Sequence, residues 1–90
     1  MKQEIEHLEK EIVKYVIAAL SYPRTYMYKK PGEQQYRFFK DIEKSTKFLD
    51  RQDAIDTIKM YQRFTGDNQL ELVVIPLKVK YIMIEEKYDN

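Results

Sequence analysis

The side chains able to carry chemistry fall in three places. His7, the sole histidine, lies in a run of charged residues. Nucleophilic catalysis would need it as a base beside a Ser or Thr, with a third group orienting it in a pocket. The neighbouring sequence supplies no such set, and an exposed residue on a charged segment accounts for it. Asp50, Asp53 and Asp56 stand three apart, with Asp41 and Glu43 nearby, the residue types a hard cation or an acid pair would use. That spacing spreads them around a helix start, and Lys47 and Arg51 neutralise them, so capping and dipole complementation explain them. There is no glycine-rich phosphate cradle, no paired histidine ligands and no dinucleotide fingerprint. The chain therefore reads as a non-enzyme with no catalytic residue, metal ligand or cofactor. An enzyme would need a pocket gathering Asp and Tyr residues from separate elements.

The third place is a basic, aromatic stretch. Residues 22–40 carry Arg24, Lys29, Lys30, Arg37 and Lys40 against Glu33 alone, a balance of +4, whereas residues 1–11 and 67–90 each sum to −2. TYMYKK (25–30), PGEQ (31–34) and QYRFFK (35–40) read as a β-hairpin turning at Pro31-Gly32. Tyr26, Tyr28 and Lys30 share one side of the first strand, and Tyr36, Phe38 and Lys40 one side of the second. Aromatic rings among Lys and Arg on an exposed sheet are what single-stranded nucleic-acid binders use, the rings stacking on bases and the cations tracking phosphates. Tyr and Arg are equally the anchors of protein interfaces. Tyr and Phe are also ordinary strand formers, and one face of any hairpin must enter a core.

The elements that must position these residues follow from periodicity and punctuation. Residues 2–11 (KQEIEHLEKE) are helix formers with a Glu6 to Lys10 spacing, which predicts a short leading helix. At Ile12 the sequence turns to IVKYVIAAL, β-branched and aromatic, which predicts a buried strand. One amphipathic helix over 2–20, with Ile5, Leu8, Ile12, Tyr15 and Ala19 on a stripe, is the rival reading. Ser21-Tyr22-Pro23-Arg24 is a turn. Asp50 caps a helix carrying Ala54, Ile55, Ile58, Tyr61 and Phe64 inward, and Gly66 ends it. In LELVVIPLKVKYIMIE, Val73, Ile75, Leu77, Val79, Tyr81 and Met83 share a face of one long strand or two. Pro76 marks an edge or bulge there, and Lys78 and Lys80 face solvent.

The expected architecture is α+β: a small, mostly antiparallel sheet of a three-strand meander plus a C-terminal strand, packed on one main helix, with a short N-terminal helix. Ninety residues make one domain, divided into a helical leader 1–11, a core 12–85 and a tail 86–90. Hydrophobic residues at 43% with only two glycines and three prolines fit a folded chain. Without cysteine there is no disulfide scaffold, thiolate zinc site or cysteine nucleophile, which suits a cytoplasmic protein. Residues 1–11 lack the apolar region of a secretory signal. The longest nearly apolar run, 12–20, contains Lys14 and is too short to span a bilayer.

At KYVI (14–17), YRFFKDIEKSTKFLDRQDAIDTIKMYQ (36–62) and LELVVIPLKVKYIMIE (70–85) the chain resembles small uncharacterised proteins of Gram-positive phages and prophages. Those pair a Tyr-Val-Ile strand with a segment matched here by Asp41, Ile42, Ser45, Thr46, Lys47 and Phe48, then a helix opening at Asp53-Ala54 and a closing strand. Ser45 replaces a usual alanine, and residues 1–11 are additional. The resemblance implies a fold and a mobile-element context, with no chemistry. The resulting expectation is a protein-interaction module with an unknown protein partner, and a homodimer as a further expectation. Its contact would lie on Arg24, Tyr26, Tyr28, Arg37 and Phe38. The alternative is a nucleic-acid-binding accessory protein using the same hairpin, with Lys29, Lys30, Tyr36 and Lys40 joining the site.

Overall fold

In the computed structural model the backbone of residues 2–88 is described, and the side chains of residues 9–84. It is an α+β protein with one main helix and a four-stranded antiparallel sheet in the order β3-β2-β1-β4. The strands are β1 (Lys2–Ala19), β2 (Thr25–Lys29), β3 (Tyr36–Phe39) and β4 (Leu72–Tyr88), and the helix is α1 (Arg51–Thr65). The closing strand joins beside β1, so the first strand is central and the hairpin β2-β3 lies on one flank.

The predicted leading helix over residues 2–11 is instead the outer part of β1, which also answers the open reading of residues 12–19 as strand. Helix propensities differ by well under 1 kcal/mol per residue and yield readily to tertiary pairing. Here β1 pairs with β4 continuously from Ala19↔Leu72 to Lys2↔Tyr88, with one irregularity between Glu4 and Glu6. Two other acids of that segment pair across strands: Lys78 Nζ is 3.8 Å from Glu11 and Lys80 Nζ 3.3 Å from Glu9. Residues 86–88 of the expected tail belong to β4, and residues 89–90 lie outside the described residues.

Alternation sorts the sheet into two faces. Tyr15, Ile17, Met27, Tyr36, Phe38, Leu72 and Val74 face α1, where Ile17, Met27, Ala54 and Tyr61 form the buried cluster. Ala54, Thr57 and Tyr61, three and four apart, are the buried stripe of the helix, while Phe64 remains 52% exposed. Asp50 caps its start by accepting from Gln52 N at 2.9 Å, and Gly66 ends it at φ 69°. Lys30 to Glu33 form the hairpin turn: Glu33 N donates to Lys30 O at 3.2 Å, and Gly32 takes φ 80° after Pro31, the arrangement of a type II turn. The Tyr22–Pro23 peptide is cis.

The link from β3 to α1 crosses the sheet. Lys44 lies in a 3-10 turn (Ile42–Lys44) with Nζ 5.7 Å from the Phe39 ring centroid, whereas α1 packs Tyr61 on Phe38. Phe38 and Phe39 point to opposite faces, so the chain passes from one face to the other between residues 44 and 51. It passes between β1 and β2, which pair directly only at Ala18↔Tyr26 and Ala19↔Thr25. Beyond those pairs, Phe48 and Tyr15 exchange two backbone bonds of 2.8 Å, and Thr46 N donates to Met27 O at 3.1 Å. The Thr46 hydroxyl accepts from Lys29 N at 2.8 Å and donates to Lys29 O at 3.0 Å, doing the work of a backbone pair. Lys47 Nζ donates to the carbonyls of Ile42, Glu43 and Ser45 at 2.9, 2.6 and 2.9 Å, closing the preceding turn.

Thr46→Val keeps the shape of that side chain and leaves a part-buried N–H and C=O of Lys29 without partners. Urea unfolding should show a loss of about 1–3 kcal/mol, with Thr46→Ser retaining most of the stability. A Val variant as stable as the parent would contradict this account of the crossing.

Candidate functional site

The hairpin divides the residues singled out from the sequence between two faces. Register pairs Tyr26↔Phe39 and Tyr28↔Arg37 set Tyr26, Tyr28, Arg37 and Phe39 on the face away from α1. Met27↔Phe38 and Lys29↔Tyr36 set the others toward it. Tyr36 and Phe38 are thus not part of one open surface with Tyr26 and Tyr28: both meet Tyr61 edge-on, at 5.2 and 5.7 Å between centroids. Lys29 Nζ lies 6.0 Å from the Tyr36 ring. Arg24 and Lys40 are exposed beyond the strand ends, and Lys30 pairs with Glu33 at 3.5 Å in the turn.

On the far face Tyr28 and Phe39 meet edge to face at 6.2 Å. With Arg37 and Lys44 they line a shallow, open concavity of about 320 Å³. Arg37 also reaches Gln35 Oε1 at 3.5 Å. Sequence reasoning missed Phe39 and Lys44. Phe39 was within reach of a register argument, had the six-residue connection 30–35 specified the pairing. Lys44 arrives from the crossing link and had no local signal. The concavity offers rings for stacking and two cations for an anion.

The acidic residues serve as caps and bonds. Asp41 Oδ1 accepts from Glu43 N at 2.9 Å and Asp56 Oδ1 from Gln52 Nε2 at 2.9 Å. Among the described residues no three His, Cys, Asp or Glu side chains gather as metal ligands would, and no helix is long and apolar enough to cross a membrane.

A second candidate surface lies on the first and last strands. Beyond Tyr15, β1 and β4 leave the body of the sheet as a two-stranded ribbon, and the molecule measures 61 × 28 × 20 Å. Its radius of gyration is 18.1 Å, against about 12 Å for a compact chain of this length. Cross-strand ion pairs Lys78–Glu11 and Lys80–Glu9 lie on the ribbon face continuous with the helix side. On the opposite face β4 contributes Leu77, Val79, Tyr81 and Met83 without interruption, beside Ile12 of β1. Tyr81 and Met83 are 43% and 48% exposed, and Lys14 Nζ donates to Tyr81 Oη at 3.0 Å. Ile82 and Ile84, toward the tip on the ion-paired face, are exposed as well.

The chain matches no protein-family model, no curated protein and no solved structure.

Two tyrosines under the hairpin have contrasting hydroxyls. Tyr61 Oη donates to Asp67 Oδ2 at 2.8 Å, and burial followed by that bond and the nearby carboxylate raises its pKa. Asp67 is held below the usual carboxylate range, chiefly by the Tyr61 hydroxyl and then by the amides of Leu70 and Gln69. Tyr36 Oη is buried without a partner among the described residues, and burial raises its pKa too. Tyr36→Phe should therefore stabilise, by on the order of 1 kcal/mol, whereas Tyr61→Phe should lower the unfolding midpoint. Because the unfolded chain binds more protons at Asp67, its contribution is full above pH about 4 and fades as pH falls through the folded-state value. The two raised tyrosines make stability fall as pH climbs above about 10. Denaturation midpoints across pH check both limbs, and the acid limb should flatten in Tyr61→Phe.

Proposed function

We propose that this protein is a non-catalytic protein-interaction module whose principal contact is the ribbon face carrying Leu77, Val79, Tyr81 and Met83. The phage and prophage resemblance supports an accessory role in a mobile element. The observation that carries the reading is the exposed apolar surface of the ribbon. A two-stranded ribbon is marginal in water unless a further strand or a packed surface covers it. Here β4 presents Leu77, Val79, Tyr81 and Met83 as an unbroken apolar row on one face, while the other mixes the two ion pairs with exposed Val13, Ile82 and Ile84. Half-exposed Tyr81 and Met83 are the adaptable, large-area side chains that interfaces favour.

The hairpin supports a second reading. Tyr28 and Phe39 beside Arg37 and Lys44 combine stacking and anion contacts in the manner of single-strand binders. Arg24, Tyr26 and Lys40 extend that surface, whereas Tyr36 and Phe38 support it from beneath. The discriminating measurement is anisotropy of labelled single-stranded and duplex nucleic acid at about 50 and 200 mM salt. Salt-sensitive binding lost in Arg37→Ala/Lys44→Ala would favour this reading, and no binding at micromolar protein would remove it.

For the first reading, a photo-crosslinking amino acid at position 81 in the producing cells should yield covalent protein adducts, and one at position 78 should not. Absence of any adduct at position 81 would overturn the ribbon as an interaction surface.

A further inference from the structure

On the far face of the hairpin two rings and two cations converge. Tyr28 and Phe39 stand at 69° with centroids 6.2 Å apart, so they form a corner. A flat ring that stacks on either of them meets the edge of the other, and both contacts are favourable. The cations reach that corner from different elements. Arg37 lies two residues, about 7 Å, from Phe39 along β3, opposite Tyr28 and with its guanidinium toward Gln35. Lys44 comes over Phe39 from the crossing link, its Nζ 5.7 Å from the ring centroid. Lys30, Lys78 and Lys80 are matched by carboxylates, whereas among the described residues neither Arg37 nor Lys44 forms a salt bridge. Asp41, on the same link, turns its carboxylate to the Glu43 amide. The corner is therefore aromatic and positively charged, on the flank where residues 22–40 balance to +4.

We propose that this corner is a site for one unpaired nucleotide of a single strand, its base stacked on Tyr28 or Phe39 and its flanking phosphates met by Arg37 and Lys44. This deepens the nucleic-acid reading of the hairpin and rests on it. The lining selects the ligand. Two rings and two cations, with no aliphatic side chain among the described lining residues, match a planar ring joined to anions rather than an apolar peptide side chain. Lys44 is exposed and its stem is flexible, so its ammonium can follow a phosphate to the rim and leave the ring to a base. The volume of about 320 Å³ is at the lower end of small-ligand sites, room for one base with its backbone. A shallow site accepts a base lying flat, whereas the ring of a phosphotyrosine enters end-on and needs depth to bring its phosphate to the cations. In a duplex each base is covered by its neighbours, so only an unpaired base reaches the rings. Cations on two sides fit a nucleotide within a strand, which has a phosphate on each side, rather than a free monophosphate, which has one.

Anisotropy of a labelled oligothymidylate of about ten nucleotides, titrated with the purified full chain, tests this. Two phosphate contacts on a single strand set a slope of about −1.4 in log K against log salt, so affinity should fall roughly sevenfold between about 50 and 200 mM. Arg37→Gln should halve that slope. Tyr28→Leu/Phe39→Leu keeps apolar bulk and removes both ring faces, and it should weaken binding roughly ten- to hundredfold. Lys78→Gln/Lys80→Gln takes two positive charges from the ribbon instead and should leave binding unchanged. Should the leucine variant lose its far-UV circular dichroism, the parent still decides: the thymine methyl resonance of the bound strand should move upfield in the ring current of the corner. Binding that survives the leucine exchange, a resonance that does not move, or a duplex bound as tightly as the strand would refute the nucleotide site and leave a purely electrostatic nucleic-acid reading standing. Displacement of the strand by phosphotyrosine at lower concentration than by thymidine monophosphate would reassign the corner to a phosphorylated peptide. Thymidine monophosphate bound as tightly as the strand would overturn the strand as the source of the nucleotide. No binding of the strand at micromolar protein removes both the site and the reading on which it rests.

Discussion

The antiparallel pairing of the first and last strands is the constraint on which the rest of the molecule depends. It joins residues as distant as Lys2 and Tyr88, so it is the most non-local contact of the fold and the one with the greatest loop-closure cost. Once made, it puts β1 at the centre of the sheet and β4 at an edge, and its phase decides which side chains meet α1. Tyr15 shows the phase directly. Its N–H and C=O are both committed to Phe48, so its partner Pro76 turns its own backbone groups to the outer edge. A residue with no N–H is tolerated there. A slip of one residue would exchange the two faces of the strand and carry Val74 out of the core.

The body of the domain is small, and the crossing link compensates. Few apolar residues are fully buried, among them Val16, Ile17, Ala18, Met27 and Ala54. The splayed gap between β1 and β2 would leave backbone groups of both strands without partners. Thr46 and Phe48 fill it, Lys47 closes the turn before it, and Phe48 adds its ring to the cluster under α1. Backbone satisfaction and core packing are thereby supplied by the same three-residue segment. The same link delivers Lys44 to the far face of the hairpin, so the candidate anion-facing concavity and the integrity of the sheet share one cause.

Function divides along the same geometry. The hairpin spends Tyr36 and Phe38 on Tyr61 and keeps Tyr26, Tyr28, Arg37 and Phe39 on the open side. The ribbon keeps its ion pairs on one side and its continuous apolar strip on the other. A helix on the first face of a sheet covers only as much as its own length reaches, and α1 spans fifteen residues, about 22 Å. The ribbon outruns it, and its apolar side lies on the wrong face for it.

What the sequence by itself determined was everything encoded by local spacing. The hairpin around Pro31-Gly32, the helix between Asp50 and Gly66, and the shared face of Val73 through Met83 are all short-range consequences of turn chemistry, caps and alternation. Tertiary structure decided the state of residues 2–11, because Lys and Glu have only a slight helical preference that a full ladder with β4 overrides. It decided the hairpin register, and with it which aromatics are core, because a six-residue connection does not specify pairing. It also decided that Leu77 to Met83 face outward from the body. Alternation reveals that residues share a side, but which side a helix covers depends on where a distant segment crosses the sheet, and that is a property of the assembled chain alone.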